Sequence, residues 1–227
     1  MTHTIAMCYA GRPAACPCCH GTGRLESIDE NLAGAARVDV CTHCMGSGQV
    51  LRDEPRIGEA IISFLGGWIY LEDPRPGDFD VITIAVGLSR LCRFAGQPRR
   101  FVSVAEHSVL CARHAPAGLQ LTALMHDASE AFLGDVPRPL KRLLPVYVDI
   151  EQRMNAAIAA QYGLLHPWPP EIKRIDNAML AAEVAQNMAP SAYQWPDVEP
   201  LDVRLEYWDS ERAREEFLRA FAQYEGA

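Results

Sequence analysis

Long apolar runs are scarce in this chain. The best of them, Ala60 to Tyr70, stops far short of the ~20 residues a membrane span needs. Gly66 and Gly67 break it further, so no membrane partner is expected. The N-terminus has no basic-then-apolar leader, which points to a cytoplasmic protein. Basic residues are in deficit: 21 Lys and Arg stand against 29 Asp and Glu, a formal net charge of -8. Duplex nucleic acid is therefore disfavoured as a partner for the surface as a whole, and only a local basic patch would serve one. There is also no Gly-rich phosphate cradle, no G-x-S-x-G elbow and no dinucleotide fingerprint. Kinase, serine-hydrolase and dehydrogenase chemistry are left without support. What remains is 227 residues, 49% hydrophobic and 22% charged. That is the balance of a folded globular protein with one domain, or one domain and a small appendage.

The eight cysteines are unevenly placed. Cys16, Cys18, Cys19, Cys41 and Cys44 crowd into the first fifth of the chain, whereas Cys92 and Cys111 sit among apolar neighbours and read as packing residues. Without an export leader, clustered cysteines argue for metal binding rather than disulfides. Cys16 to Gly23 (CPCCHGTG) and Cys41 to Gly48 (CTHCMGSG) both read C-x-x-C-x-G-x-G. Two residues between cysteines let one tight turn aim both thiolates at one ion, and the following glycines let backbone amides approach the sulfurs. Cys16, Cys19, Cys41 and Cys44 would together close a tetrahedral structural zinc site. Cys18, His20 and His43 are spare ligands. The stretch from Gly23 to Val40 between the repeats is expected to be a hairpin or loop.

These residues resemble half of the cysteine-rich zinc domain of the J-protein chaperones. No J-domain sequence accompanies them, so the resemblance implies a zinc clip, with a docking surface as the second reading. Leu51 to Glu59 (LRDEPRIGE) has the composition of a linker. The expected organisation is a zinc-binding module and linker over residues 1–56, followed by a helical domain over residues 57–227.

The second segment carries helical periodicity. Ser103 to Glu106 (SVAE) is a capping box that opens a helix running to about Arg113. A second helix is expected from Leu119 to Leu133, apolar nearly all round and ended by Gly134. A third spans about Val146 to Tyr162. A fourth starts near Glu171 and aligns Ile172, Ile175, Met179 and Glu183, and a last one begins at Ser210. His107, His126, Asp127 and Asp176 fall on the apolar faces of these helices. Taken singly, each has an ordinary reading as a hydrogen-bonded core histidine or an ion-paired aspartate. Together, two imidazoles and two carboxylates suit a divalent ion, since a buried carboxylate is expensive unless paired or bound to a cation.

The order His107, then His126 to Lys141 (HDASEAFLGDVPRPLK), then Asp176 resembles the HD-domain phosphohydrolases, over roughly Phe64 to the C-terminus. Within them it is most similar to bacterial 5'-deoxynucleotidases and phage dATP triphosphohydrolases. The resemblance implies an all-α HD-domain helical bundle behind the small zinc module. It implies that His107, His126, Asp127 and Asp176 hold a divalent metal (Mn, Co, Mg, Fe or Zn). By the same resemblance Glu130 is the general acid/base, Asp135 positions nucleotide or water, Arg93 and Lys141 contact phosphate, and Phe94 packs on sugar or base. Gln97 and Val86 stand where many phage relatives carry histidines, a departure that bears on base selectivity. The implied activity is hydrolysis of a deoxynucleoside monophosphate to nucleoside and phosphate. A dNTP triphosphohydrolase releasing tripolyphosphate is the alternative, and a zinc-finger adaptor on a non-catalytic HD scaffold is a third. Relatives of this kind form dimers or larger rings, so a homo-oligomer is expected.

Overall fold

The computed structural model describes residues 12–15, 24–28, 36–40, 49–52, 56–190 and 198–226. The chain divides into two compact units, Met1–Ile57 and Gly58–Ala227. In the first, β1 (Arg12–Ala15) pairs antiparallel with β4 (Gln49–Arg52), and β2 (Arg24–Ile28) pairs antiparallel with β3 (Ala36–Val40). The antiparallel β2–β3 pair occupies the stretch between the two cysteine repeats, where a hairpin or loop is expected. Ala15 lies opposite Gln49, and Arg24 lies opposite Val40. These four residues flank the repeats; Cys16, Cys19, Cys41 and Cys44 themselves lie outside the described residues.

The second unit is mostly helical, with one departure from an all-α reading. Its apolar opening folds as a hairpin of β5 (Ala60–Ile62) and β6 (Trp68–Tyr70). Alternation is the reason: Ile69 is buried, while Ile62 and Trp68, paired across the strands, face outward. Gly66, at φ 84°, supplies the left-handed residue of the connecting loop. No helix among the described residues is long and apolar enough to cross a membrane.

Helix α1 (Val81–Arg90) starts at Asp80, whose carboxylate accepts from the amides of Ile82 and Thr83. A 3-10 turn (Arg93–Gly96) leads to α2 (Val104–His114), buried continuously from Val104 to Ala112. The helix expected over Leu119–Leu133 is divided into α3 (Gln120–Met125) and α4 (Glu130–Leu133). The cause is local. His126 Nδ1 lies 2.7 Å from the Ala123 carbonyl oxygen, the group that the amide of Asp127 would use in a continuous helix. The intervening turn tightens, with Ala128 N–H bonded to Met125 O and Glu130 N–H to Asp127 O. Gly134, at φ 82°, ends the segment as expected.

Four more helices follow: α5 (Arg138–Lys141), α6 (Pro145–Tyr162), α7 (Pro170–Asn187) and α8 (Ser210–Tyr224). Helix α8 packs on α1, α2 and α3 through Ala213, Phe217, Ala220 and Phe221, all buried. The core around them holds Phe79, Leu88, Leu124, Met154, Ile158 and Trp208. Gly87 sets how closely α1 approaches α4: a Cβ there would stand 2.7 Å from that of Ala131. A larger residue at 87 would therefore push away the helix that carries Glu130.

The capping box is only half local. Ser103 Oγ accepts from the Glu106 amide at 3.0 Å, as its pattern implies. The Glu106 carboxylate instead turns toward the segment before α8. There it accepts from the amides of Glu206 (2.9 Å), Tyr207 (3.0 Å) and Trp208 (2.9 Å). Truncation would strand these donors, each worth ~1–3 kcal/mol when buried and unmade. Glu106→Ala is expected to lower stability by about 3 kcal/mol, and Glu106→Gln, which keeps one acceptor oxygen, by less. Chemical denaturation of the intact protein checks both; an unshifted midpoint for Glu106→Ala would contradict the assignment.

Candidate metal centre

Three elements converge on one buried point. Helix α2 supplies His107, the turn after α3 supplies His126 and Asp127, and α7 supplies Asp176. His107 Nε2 lies 3.7 Å from Asp127 Oδ2 and 3.6 Å from Asp176 Oδ1, and His126 Nε2 lies 3.2 Å from Asp127 Oδ2. Two N or O donors held at ~2.1 Å on one tetrahedral ion stand ~3.4 Å apart, so these edges are of the right size to enclose a cation.

The outer nitrogens decide which atoms face inward. His107 Nδ1 is 2.9 Å from Glu183 Oε1, and His126 Nδ1 is 2.7 Å from the Ala123 carbonyl. Both acceptors require a proton on Nδ1. Each Nε2 therefore points its remaining position at the carboxylates, which also carry only lone pairs when ionised. A proton or a cation must sit between them. Burial alone would push the His126 imidazolium down, but the adjacent Asp127 carboxylate, aided by Asp176, pushes it up to about 9. Burial likewise works against the Asp127 carboxylate, yet His126, with His107 and Arg93, holds it well below the usual range.

Glu130 has the opposite balance. Burial pushes its carboxyl well up, with the Asp127 and Asp135 charges adding to the effect and Lys141 and Arg93 opposing it. Its Oε2 is buried without a hydrogen-bond partner, while Oε1 is 3.3 Å from Lys141 Nζ. Two carboxylates three residues apart are thus driven in opposite directions, the pattern that separates a ligand or base from a proton donor.

Beside this point opens a cleft of about 310 Å³ lined by Asp127, Glu130, Asp135 and Asp176 and by the cations Arg93, Arg138, Lys141, Arg142 and Lys173. All the candidates outside the cysteine module reach either the cluster or the cleft. Two differ in detail from what was expected. Arg93 is buried, not a free clamp: it binds Glu183 through Nε (3.4 Å) and Nη2 (3.2 Å), and Asp135 through Nη1 (3.3 Å). Lys141 is shared between Glu130 and Glu151, the latter at 2.6 Å. Phe94 lines the cleft at φ 54°, followed by Ala95 at φ 52°. Left-handed backbone costs a non-glycine residue ~1 kcal/mol or more. Exposed Ala95 makes no compensating side-chain burial, so Ala95→Gly is expected to stabilise the protein by about 1 kcal/mol. A thermal or denaturant midpoint that falls would refute this.

Three residues of the site carried no assigned role in the sequence. Glu183 ties the outer nitrogen of His107 to Arg93; its place seven residues after Asp176 on one helix face was the available signal. Arg138 holds Asp176 Oδ2 and Asn177 Oδ1, each at 2.8 Å. Cys111, whose apolar sequence neighbours fit a packing residue, is buried but also lies one turn after His107, with Sγ 3.5 Å from His107 Nε2. Burial pushes its thiol well up, with Asp176, Glu183 and Asp127 adding to the effect.

No family model matches the chain. Over 139 residues it is 41% identical to the uncharacterized protein YfdR of Escherichia coli (strain K12), spanning 61% of this chain and 78% of that protein. Over 114 residues it is 39% identical to an uncharacterized protein of Rhodobacter capsulatus, spanning 46% of this chain and 58% of the relative.

Proposed function

From the premise that the chain belongs to the family of Escherichia coli YfdR, we propose that it is an HD-type, metal-dependent phosphohydrolase acting on deoxynucleotides. One observation carries the reading. Two imidazoles, their outer nitrogens tied off, aim their inner nitrogens at Asp127 and Asp176, beside a cleft rimmed by cations. His107, His126, Asp127 and Asp176 would hold a divalent ion, which would supply Lewis acidity to the phosphate ester and to the attacking water.

The chain's own groups do the rest. Arg93, Arg138 and Lys141 draw the phosphate into the cleft and offset the charge that grows on its oxygens. Arg93 is held by Glu183 and Asp135, so its position is fixed before substrate arrives. Glu130, whose carboxyl is pushed up by burial and by the Asp127 and Asp135 charges, exchanges a proton with the attacking water or the departing ester oxygen. Asp135 steers Arg93, and Phe94 offers a ring at the wall of the cleft for sugar or base. By its sequence the four-cysteine module would hold a structural zinc through Cys16, Cys19, Cys41 and Cys44. The favoured reaction cleaves a deoxynucleoside monophosphate to nucleoside and phosphate. The set of five cations along the cleft favours a second reading, release of tripolyphosphate from a dNTP.

Product analysis separates the two. The purified protein is incubated with each dNMP and dNTP in the presence of Mn, Co, Mg or Zn. Inorganic phosphate from monophosphates supports the first reading, and tripolyphosphate from triphosphates the second. No turnover of any member of the panel would defeat both.

A further inference from the structure

The cluster contains a donor that an oxygen- and nitrogen-only site would lack. His107, Cys111 and His126 are all buried, and their donor atoms lie within 4.8 Å of one another. His126 Nε2 is buried, has no well-aligned hydrogen-bond partner, its nearest acceptor being Asp127 Oδ2 at 3.2 Å, and lies in the same cluster. The Cys111 sulfur is 3.5 Å from His107 Nε2. A sulfur at ~2.3 Å and a nitrogen at ~2.1 Å on one tetrahedral ion stand ~3.6 Å apart, so the pair already has the spacing of two ligands. The one-turn offset along α2 explains how both side chains reach one point.

We propose that Cys111 is a ligand of this centre and that the centre selects a thiophilic divalent ion of the zinc or cobalt type over magnesium. Cys111 ligation presupposes the metal-dependent reading above and deepens it by naming the class of ion. Thiolate sulfur favours soft and borderline ions, whereas magnesium demands near-octahedral oxygen ligands and gives up water reluctantly. As the ion binds, the thiol proton and the proton otherwise shared between the imidazoles and the carboxylates both pass to solvent. The ligands available are then two neutral imidazoles, one thiolate and the carboxylates of Asp127 and Asp176.

The test uses the full chain with its cysteine module first filled with zinc. Cobalt(II) is then added, and the parent is compared with Cys111→Ser and Cys111→Val. The expected result has three parts. The parent shows visible cobalt bands together with an ultraviolet thiolate-to-cobalt charge-transfer band. Both variants lose the charge-transfer band. Their preference for cobalt over magnesium, read by competition, also falls. Cobalt-edge X-ray absorption on the parent gives the same answer without any variant, as a sulfur neighbour of the added cobalt. Visible bands with no Cys111-dependent charge transfer and no sulfur neighbour would overturn Cys111 as a ligand while leaving the metal-dependent function standing. Failure to take up cobalt at all would overturn the ligand assignment and the metal-dependent reading together.

Discussion

Asp127→Ala should lose the exchangeable metal and the activity together, whereas Glu130→Gln should keep the metal and lose the rate. The two carboxylates are three residues apart and both largely enclosed, so burial does not distinguish them. Their neighbours do. Asp127 Oδ2 lies 3.2 Å from His126 Nε2 and 3.7 Å from His107 Nε2, and its charge is held in place by those rings. Removing it leaves two imidazoles, the Cys111 sulfur and Asp176, and Arg138 and Lys173 already compete for Asp176 at 2.8 and 2.9 Å. Glu130 instead points toward Lys141 at the cleft, with its carboxyl driven toward the neutral form. A positioned acid/base is worth ~10²–10⁴ in rate, and Glu130→Gln should fall within that range at unchanged metal content. Elemental analysis after mild chelation, paired with turnover of the nucleotide found active, reads both quantities. A Glu130→Gln protein with near-parental turnover would remove Glu130 from the role and make Asp135, on the far side of Gly134, the next candidate.

Arg93→Met should cost about 3–5 kcal/mol of stability, the usual result of leaving buried charge without its partner. The guanidinium is the cation between Glu183, fully enclosed, and Asp135. Burial opposes the Glu183 carboxylate, and Arg93, with His107, holds its pKa below the usual range. The sign of the pH dependence follows. A carboxylate with a lowered folded pKa contributes stability above its unfolded value, ~4.3 for glutamate, and loses it as pH falls through the folded value. In Arg93→Met that depression is weakened. The stability gap between parent and variant should therefore be widest near neutral pH and narrow below about pH 4. Arg93→Lys should recover part of the gap, since it restores charge without the planar fork that reaches two carboxylates. Denaturant unfolding at several pH values decides it; a gap that stays constant into acid would show that packing, not charge pairing, sets the cost.

Much of this arrangement is legible in local pattern. Helical spacing places α2, α6, α7 and α8 to within a few residues, because each buries one apolar stripe whose period is written along the chain. It also places His107, His126, Asp127 and Asp176 on inward faces, where the structure brings their ring nitrogens and carboxylate oxygens to separations of 3.2 to 3.7 Å. The hairpin of β5 and β6 was hidden in a short apolar run, where period two and period 3.6 are hard to tell apart. The break between α3 and α4 was hidden because it depends on which acceptor the His126 ring chooses.

The sequence by itself determined the cysteine repeats, the amphipathic helices and the inward placement of His107, His126, Asp127 and Asp176, since each depends on residue type and near-neighbour spacing. Only the tertiary structure decided what those side chains touch. Glu106 looks like a capping residue and captures the amides of 206–208 instead. Glu183 looks like one more member of a helix stripe and joins His107 to Arg93. Cys111 looks like a small hydrophobe and lies against the imidazole of His107. The physical reason is the same for Glu106 and Glu183. A buried charge must find its partner wherever packing brings one, and the partners lie 76 to 102 positions away in the chain, beyond the reach of any local periodicity. For Cys111 the near neighbour was visible, but the second imidazole that turns a contact into a candidate ligand set arrives from another helix.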